Sequence, residues 1–111
     1  MAIETNETET PVLDLIGTMT AESIKASSLD AQTLMLVRLA ALVAVDAPPV
    51  SYLLNLGASR DVGIDAEQVR GVLAAVAPIV GTARIAAATG NIVRGIGIGI
   101  EVAELGTEPG E

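Results

Sequence analysis

Helix-start signals recur along this chain and divide it into segments of helical length. Thr10 followed by Pro11 is one such signal, because Thr suits the N-cap position and Pro suits the first helical position. Asp30 opens a second segment, QTLMLVRLAALVAV, which holds no helix breaker. Asp65, with Gln68 three residues later, has the spacing of a capping box. A chain divided in this way is predicted to be all-α.

The same signals predict about five to six helices. The first is expected over residues 11–19, with a weaker helical turn or loop at 20–28. The third is expected to open after Asp46, as its N-cap, and to end at Gly63. Pro78 is expected to kink the fourth helix near its end. The spacing i, i+3, i+4, i+7 and onward supports this third helix and is followed by Val50, Leu53, Leu54, Gly57, Ala58 and Asp61.

One segment is ambiguous between helix and strand. Residues 95–100 read GIGIGI, and this strict alternation matches a strand. Each glycine also costs roughly 0.8 to 1 kcal/mol in a helix interior relative to Ala. The rest of the sequence offers no second strand for pairing. We therefore expect a helix here, with small residues where another helix crosses it.

Length and charge indicate a single domain with acidic ends. The chain has 111 residues and a net charge of −8, and its two ends carry the acidic excess. We expect a flexible acidic tail over residues 1–10, one helical domain over 11–104 and an acidic C-terminal tail over 105–111. The six basic residues are scattered singly, so the sequence predicts no nucleic-acid partner.

Composition also excludes several kinds of chemistry. The chain has no Cys and no His, which removes thiol redox chemistry and the commonest metal ligand and general base. We therefore expect neither a metal nor an organic cofactor. The longest uncharged run, from Gly71 to Ala83, is shorter than the roughly 20 residues that span a bilayer and contains Pro78. The N-terminus does not resemble a secretory signal, so a cytoplasmic protein without a membrane segment is expected.

Half of the residues are apolar, which is high for a small monomer. They are Ala, Val, Ile and Leu for the most part, with one Tyr and no Phe or Trp. This composition indicates close helix packing through small residues. Because small monomers rarely expose large apolar patches, it also indicates subunits that pack together in a homo-oligomer.

Two runs of the sequence carry a family resemblance. LDAQTLMLVRLAALVAV is followed by a helix closed by DVGIDAEQVRGVLAAVAPIVGTARIAAATGNIV. This order resembles the carboxymuconolactone decarboxylase family, which includes the alkylhydroperoxidase D type, over about residues 29–95. The resemblance implies a compact helical domain of that type, assembled as a homotrimer or a homohexamer.

The reactive residues of that family are replaced in this chain. Peroxidase members carry Cys-x-x-Cys-x-x-x-His, and the equivalent positions here hold Pro48, Ser51 and Asn55. The family's Glu in the preceding helix falls near Met35. Cysteine peroxidase activity is therefore excluded. The decarboxylase branch is expected to use a His near position 55, where the amide of Asn55 does not titrate.

Two groups of polar residues remain as ligand-binding candidates. Ser51, Tyr52 and Asn55 lie together at a helix start, where they could hydrogen-bond a small ligand. The alternative is local structure, with Ser51 bonded to the nearby backbone, Tyr52 at an interface and Asn55 as a satisfied polar group. The second group is Arg38, Arg84 and Arg94, which occupy otherwise apolar helices.

These arginines could clamp the carboxylate of a small acidic metabolite. They could instead form intersubunit salt bridges with Asp46, Asp61 or Asp65.

Two functions follow from these observations. The first is a small-molecule-binding or lyase-like member of the family, without thiol peroxidase chemistry and without a cofactor. The second is a catalytically silent oligomeric scaffold or protein-interaction module.

Overall fold

The computed structural model describes residues 9–106, and the side chains of residues 9–97. Within this range the chain is all-α, as predicted, and has no strand. Its five helices are α1 (Pro11–Ala26), α2 (Ala31–Ala44), α3 (Pro49–Asp61), α4 (Ala66–Val80) and α5 (Thr82–Gly106). Most of the two predicted tails, residues 1–8 and 107–111, lies outside the described residues.

The predicted caps of α2 and α4 are confirmed. Asp30 accepts a hydrogen bond from the Thr33 backbone N–H at 2.9 Å. Asp65 accepts from the Gln68 N–H at 2.9 Å, while the Gln68 side chain accepts from the Asp65 N–H at 3.0 Å, which completes the capping box. These bonds satisfy backbone donors that the first helical turn leaves free.

Asp46 is not the N-cap of α3. Pro48 holds that position, with Pro49 at the start of the helix. Asp46 has φ of 59°, in the left-handed region that few residues other than glycine adopt. It makes the turn between α2 and α3, so the prediction of an N-cap role is wrong. The tandem prolines suit the N-cap and first helical positions because neither needs an amide hydrogen there.

The first helix is longer than predicted. It continues past Met19 to Ala26, and the Ser27 N–H closes it by donating to the Ser23 carbonyl at 3.0 Å. Residues 18–26 contain neither Gly nor Pro, so nothing in the sequence interrupts the helix. Lys25 and Glu22 form an ion pair of 3.3 Å across one turn, which adds weak support on the surface.

The core lies among α2, α3, α4 and α5. Leu39 and Val43 of α2 are buried at its centre, against Tyr52 of α3 and Ala88 and Ile92 of α5. A second buried cluster joins the first half of α2 to the turn before α4 through Leu34, Met35 and Ile64. The central position of α2 explains why its sequence is apolar almost throughout.

The GIGIGI segment is helical, as expected, and one of its glycines lies at a helix crossing. Gly95 is buried where α5 passes α3. A Cβ atom on Gly95 would lie 3.2 Å from the Leu53 backbone nitrogen and 3.4 Å from the Tyr52 Cβ. The absence of a side chain at this position therefore lets the two helix backbones approach.

The buried side of α3 is the side that carries Tyr52 and Ser59. Val50 and Leu54 are 51% and 71% exposed, whereas Tyr52 and Ser59 are buried. Tyr52 has the largest side chain of this helix, so turning it inward buries more apolar surface than burying Val50 would. The close approach at Gly95 occurs on the same side of α3. The Val50 and Leu54 side chains are consequently directed outward.

The first helix stands apart from the core. None of the 16 residues of α1 is buried, although the helix is amphipathic. A side-chain bond links it to α2, in which the Arg38 guanidinium donates to the Ser23 hydroxyl at 2.9 Å. Its large apolar side chains are exposed: Val12, Leu13, Leu15, Ile16, Met19 and Ile24. None of the helices, as far as the structure describes them, is long and apolar enough to cross a membrane.

Candidate functional site

The three predicted polar residues at the start of α3 do not open onto a common pocket. Tyr52 is fully buried within the core cluster that contains Leu39 and Val43. Ser51 is partly buried, and its backbone N–H donates to the Pro48 carbonyl at 3.0 Å. The helix places Ser51 and Tyr52 on different sides, because neighbours in a helix diverge by about 100°.

Asn55 is engaged one turn further along the same helix. The buried Ser59 hydroxyl donates to the Asn55 carbonyl at 2.8 Å and lies 3.3 Å from the Asn55 side-chain oxygen. Ser59 is thereby satisfied inside the protein, which a buried hydroxyl requires. The backbone and side chain of Asn55 both take part in this local arrangement.

The hydroxyl of Tyr52 has no hydrogen-bond partner within the described part of the chain. Burial raises the pKa of the Tyr52 phenol, and the negative charge of Asp46 raises it further. The neutral phenol is therefore the favoured form in the folded protein. A buried donor without a partner carries an energetic cost, which sets Tyr52 apart from the satisfied polar groups around it.

The three predicted arginines bond to groups within the chain. The Arg38 guanidinium donates to the Ser23 hydroxyl at 2.9 Å, the Arg84 guanidinium to the Ala44 carbonyl, and the Arg94 guanidinium to the Asn91 side-chain oxygen at 3.0 Å. Ala44 is the last residue of α2, so Arg84 satisfies one of its free terminal carbonyls from α5. The structure does not bring the three arginines together.

A cavity lies elsewhere, between α3, α4 and α5. It is partly open to solvent, has a volume of about 480 Å³ and is largely apolar, and a smaller, equally open cavity of about 230 Å³ adjoins it. Its lining contains none of the predicted site residues. It is formed by Leu53, Leu56, Gly57, Arg60, Ile64, Asp65, Ala66, Val69, Gly95 and Ile96.

The shape of this cavity follows from small residues on its walls. Gly57 faces open space, because a Cβ atom added there would meet nothing within 4 Å. Gly95 contributes from α5, at the point where that helix crosses α3. Leu56 and Val69 line both the larger and the smaller cavity, so the two form one continuous apolar surface. The volume of the larger cavity lies in the range of small-molecule sites.

Arg60 was missed as a site residue by reasoning from the sequence. It lines the larger cavity from the last turn of α3, together with Asp65 at the start of α4. One signal could have pointed to it, since Leu53, Leu56 and Arg60 have the i, i+3, i+7 spacing of a single helix face. The helical spacing noted in the sequence instead began at Val50 and included Leu54.

No group of three or more acidic, His or Cys side chains in the described part of the chain could hold a metal ion. Comparison of the whole chain with protein-family models, with curated proteins and with solved structures gave no match.

Proposed function

We propose that this chain is a carboxymuconolactone decarboxylase-like protein that binds a small molecule and assembles with copies of itself. The observation that carries the binding proposal is the apolar cavity of about 480 Å³ between α3, α4 and α5. Its volume falls in the range of about 300 to 1,000 Å³ that is usual for small-molecule sites. Two charged residues, Arg60 and Asp65, are the polar groups that could orient a ligand.

The chemistry of the chain favours binding over catalysis. Thiol peroxidase chemistry needs a cysteine, and this chain has none. A lyase-like reaction needs a group that transfers a proton, and the family's histidine position holds Asn55. The nearby phenol of Tyr52 lies inside the core, where a substrate has no access. We assign no catalytic residue to the chain.

Self-assembly is the second part of the proposal, as a homotrimer or a homohexamer. The exposed apolar side chains of α1 support it, because no residue of this helix is buried against the part of the chain that the structure describes. Val50 and Leu54 of α3 add apolar surface that is also exposed. Large exposed apolar surface is a common mark of an interaction site.

A catalytically silent oligomeric scaffold is the second candidate function. The same exposed face of α1 favours it, and it requires no ligand in the cavity. The two functions differ in one measurable property, which is whether the cavity binds an apolar molecule.

The experiment measures binding of Nile red, an uncharged apolar fluorophore, to two matched variants. Gly57→Leu places a side chain in the cavity, whereas Gly71→Leu places the same side chain at an exposed position of α4 outside the cavity. Both glycines face open space, so both variants should fold and both gain helix propensity.

Filling the cavity should weaken binding at least tenfold in Gly57→Leu and leave it unchanged in Gly71→Leu. Equal binding by both variants would contradict the proposed ligand site and favour the scaffold. Native mass spectrometry of the purified protein would report any retained ligand and the subunit count in the same spectrum.

A further inference from the structure

One basic residue has no hydrogen-bond or ion-pair partner among the residues that the structure describes. The guanidinium of Arg60 has no hydrogen bond or ion pair to any residue in the described part of the chain. The other five basic residues are all engaged: Lys25 with Glu22, Arg70 with Glu67, and Arg38, Arg84 and Arg94 with the oxygens already named. The unpaired arginine is also the one that lines the larger cavity.

We propose that Arg60 binds the carboxylate of an amphipathic acid whose hydrocarbon chain occupies the cavity. The proposal rests on the proposed function, that this cavity binds a small molecule, and it names the chemical class of that molecule. An arginine forms two parallel hydrogen bonds with a carboxylate, and these charge-assisted bonds are stronger than neutral ones. The apolar walls favour a hydrocarbon chain over a polar or multiply charged ligand.

The helix geometry sets the orientation of the acid. Arg60 lies in the last turn of α3, and Leu53 lines the same cavity two turns earlier. Seven residues of α-helix span about 10 Å, which gives the distance over which the chain of the acid can lie along α3. The other walls of the cavity are lined by Val69 of α4, Ile64 of the preceding turn and Ile96 of α5.

The negative charge of Asp65 repels an anion in this cavity, but the Asp65 carboxylate is already engaged as the cap of α4. Its carboxylate accepts the Gln68 N–H at 2.9 Å and caps α4, whose N-terminus carries a partial positive charge. Arg70, which lines the smaller cavity, is already paired with Glu67. Arg60 is therefore the group available to an incoming carboxylate.

Two probes of equal chain length separate the carboxylate contact from apolar binding. Isothermal titration calorimetry would compare octanoate with its uncharged analogue 1-octanol. The variants are Arg60→Met and the control Arg94→Met, which removes the same charge from an exposed site on α5 outside the cavity. Circular dichroism would confirm that both variants fold.

The wild-type protein and Arg94→Met should bind octanoate more tightly than 1-octanol. Arg60→Met should lose about 10- to 100-fold in octanoate affinity, the range for a hydrogen bond to a charged group, and should bind 1-octanol as before. A second variant, Asp65→Asn, keeps a capping side chain but removes the negative charge, and should bind octanoate more tightly than the wild type.

The outcomes distinguish this inference from the function on which it rests. Equal octanoate affinity of the wild type and Arg60→Met would overturn the role of Arg60, while binding of 1-octanol would still support the cavity as a ligand site. Failure of the wild type to bind either probe would contradict the ligand site and the inference together.

Discussion

Gly95 and Pro49 meet so closely where α5 crosses α3 that a Cβ atom on Gly95 would lie 2.8 Å from the Pro49 carbonyl oxygen. The neighbouring atom belongs to the backbone, so it cannot move aside as a side chain would. The same crossing places Tyr52 in the core and Gly95 in the wall of the cavity. The close crossing at Gly95 thus lies beside both the buried Tyr52 and the proposed site.

Replacement of Gly95 by Ala should therefore destabilise the protein. The added methyl group would push α3 and α5 apart, at a cost of about 1 to 3 kcal/mol in the free energy of unfolding. Gly97→Ala is the matched control, because a Cβ atom there would meet nothing within 4 Å. It should stabilise the helix by about 0.8 to 1 kcal/mol. Urea denaturation followed by circular dichroism measures both, and equal effects would contradict the close crossing.

Replacement of Tyr52 by Phe should leave the protein equally stable or stabilise it by up to about 1 kcal/mol. The substitution keeps the buried ring and removes a hydroxyl that has no partner among the described residues. Tyr52→Ala, which also removes the ring, should cost about 3 to 5 kcal/mol by analogy with other large core deletions. A marked loss of stability in Tyr52→Phe would mean that the hydroxyl has a partner in the assembled or ligand-bound protein.

The same residue should make the wild type sensitive to alkaline pH. Burial, and then the charge of Asp46, raise the pKa of the Tyr52 phenol in the folded state. In the unfolded chain the phenol loses its proton near pH 10, so above this pH the unfolded state binds fewer protons than the folded state. The free energy of unfolding must then fall as pH rises.

Comparison with Tyr52→Phe isolates this contribution, because the variant keeps every other titrating group. The stability of the wild type relative to Tyr52→Phe should be constant below about pH 9 and should decline above about pH 10. Denaturant midpoints of the two proteins at a series of pH values provide the measurement. If the stabilities of the two proteins changed in parallel over the whole pH range, the phenol would titrate alike in the folded and unfolded states.

A charge placed on the apolar side of α1 should disrupt the proposed assembly. Ile16→Glu puts a carboxylate among exposed apolar side chains, whereas Thr18→Glu adds the same charge on the opposite, polar side of the helix. Light scattering coupled to size-exclusion chromatography should show smaller particles for Ile16→Glu only. A monomeric wild type would contradict the assembly directly, and identical masses for both variants would show that α1 is not part of the interface.

Helix positions could be predicted from local chemistry, and helix orientation could not. Asp30, Asp65 and Gln68 act within one turn, so their spacing in the sequence was enough to find α2 and α4. The side of α3 that is buried depends on Gly95, which lies about 40 residues later in the chain. Val50 and Leu54 gave an equally apolar alternative, and nothing local distinguishes the two faces.

The contacts of the candidate site residues could likewise not be predicted from the sequence. Arg84 bonds to the Ala44 carbonyl 40 residues earlier, a partner that no short pattern in the sequence can indicate. The surroundings of Arg60 likewise come from three helices. That Arg60 has no partner among the described residues becomes evident only when the partners of every other basic residue are known. The absence of Cys and His, in contrast, can be read directly from the sequence, because residue identity alone decides that point.

The chain contains one tyrosine, no tryptophan and no phenylalanine, and that tyrosine is wholly buried at the centre of the core. All of its intrinsic ultraviolet fluorescence therefore originates from a single position among α2, α3 and α5. Emission from Tyr52 will report the opening of this core without an attached label, and without background from surface aromatic groups. The tyrosine fluorescence of the unlabelled protein is consequently sufficient to follow its folding.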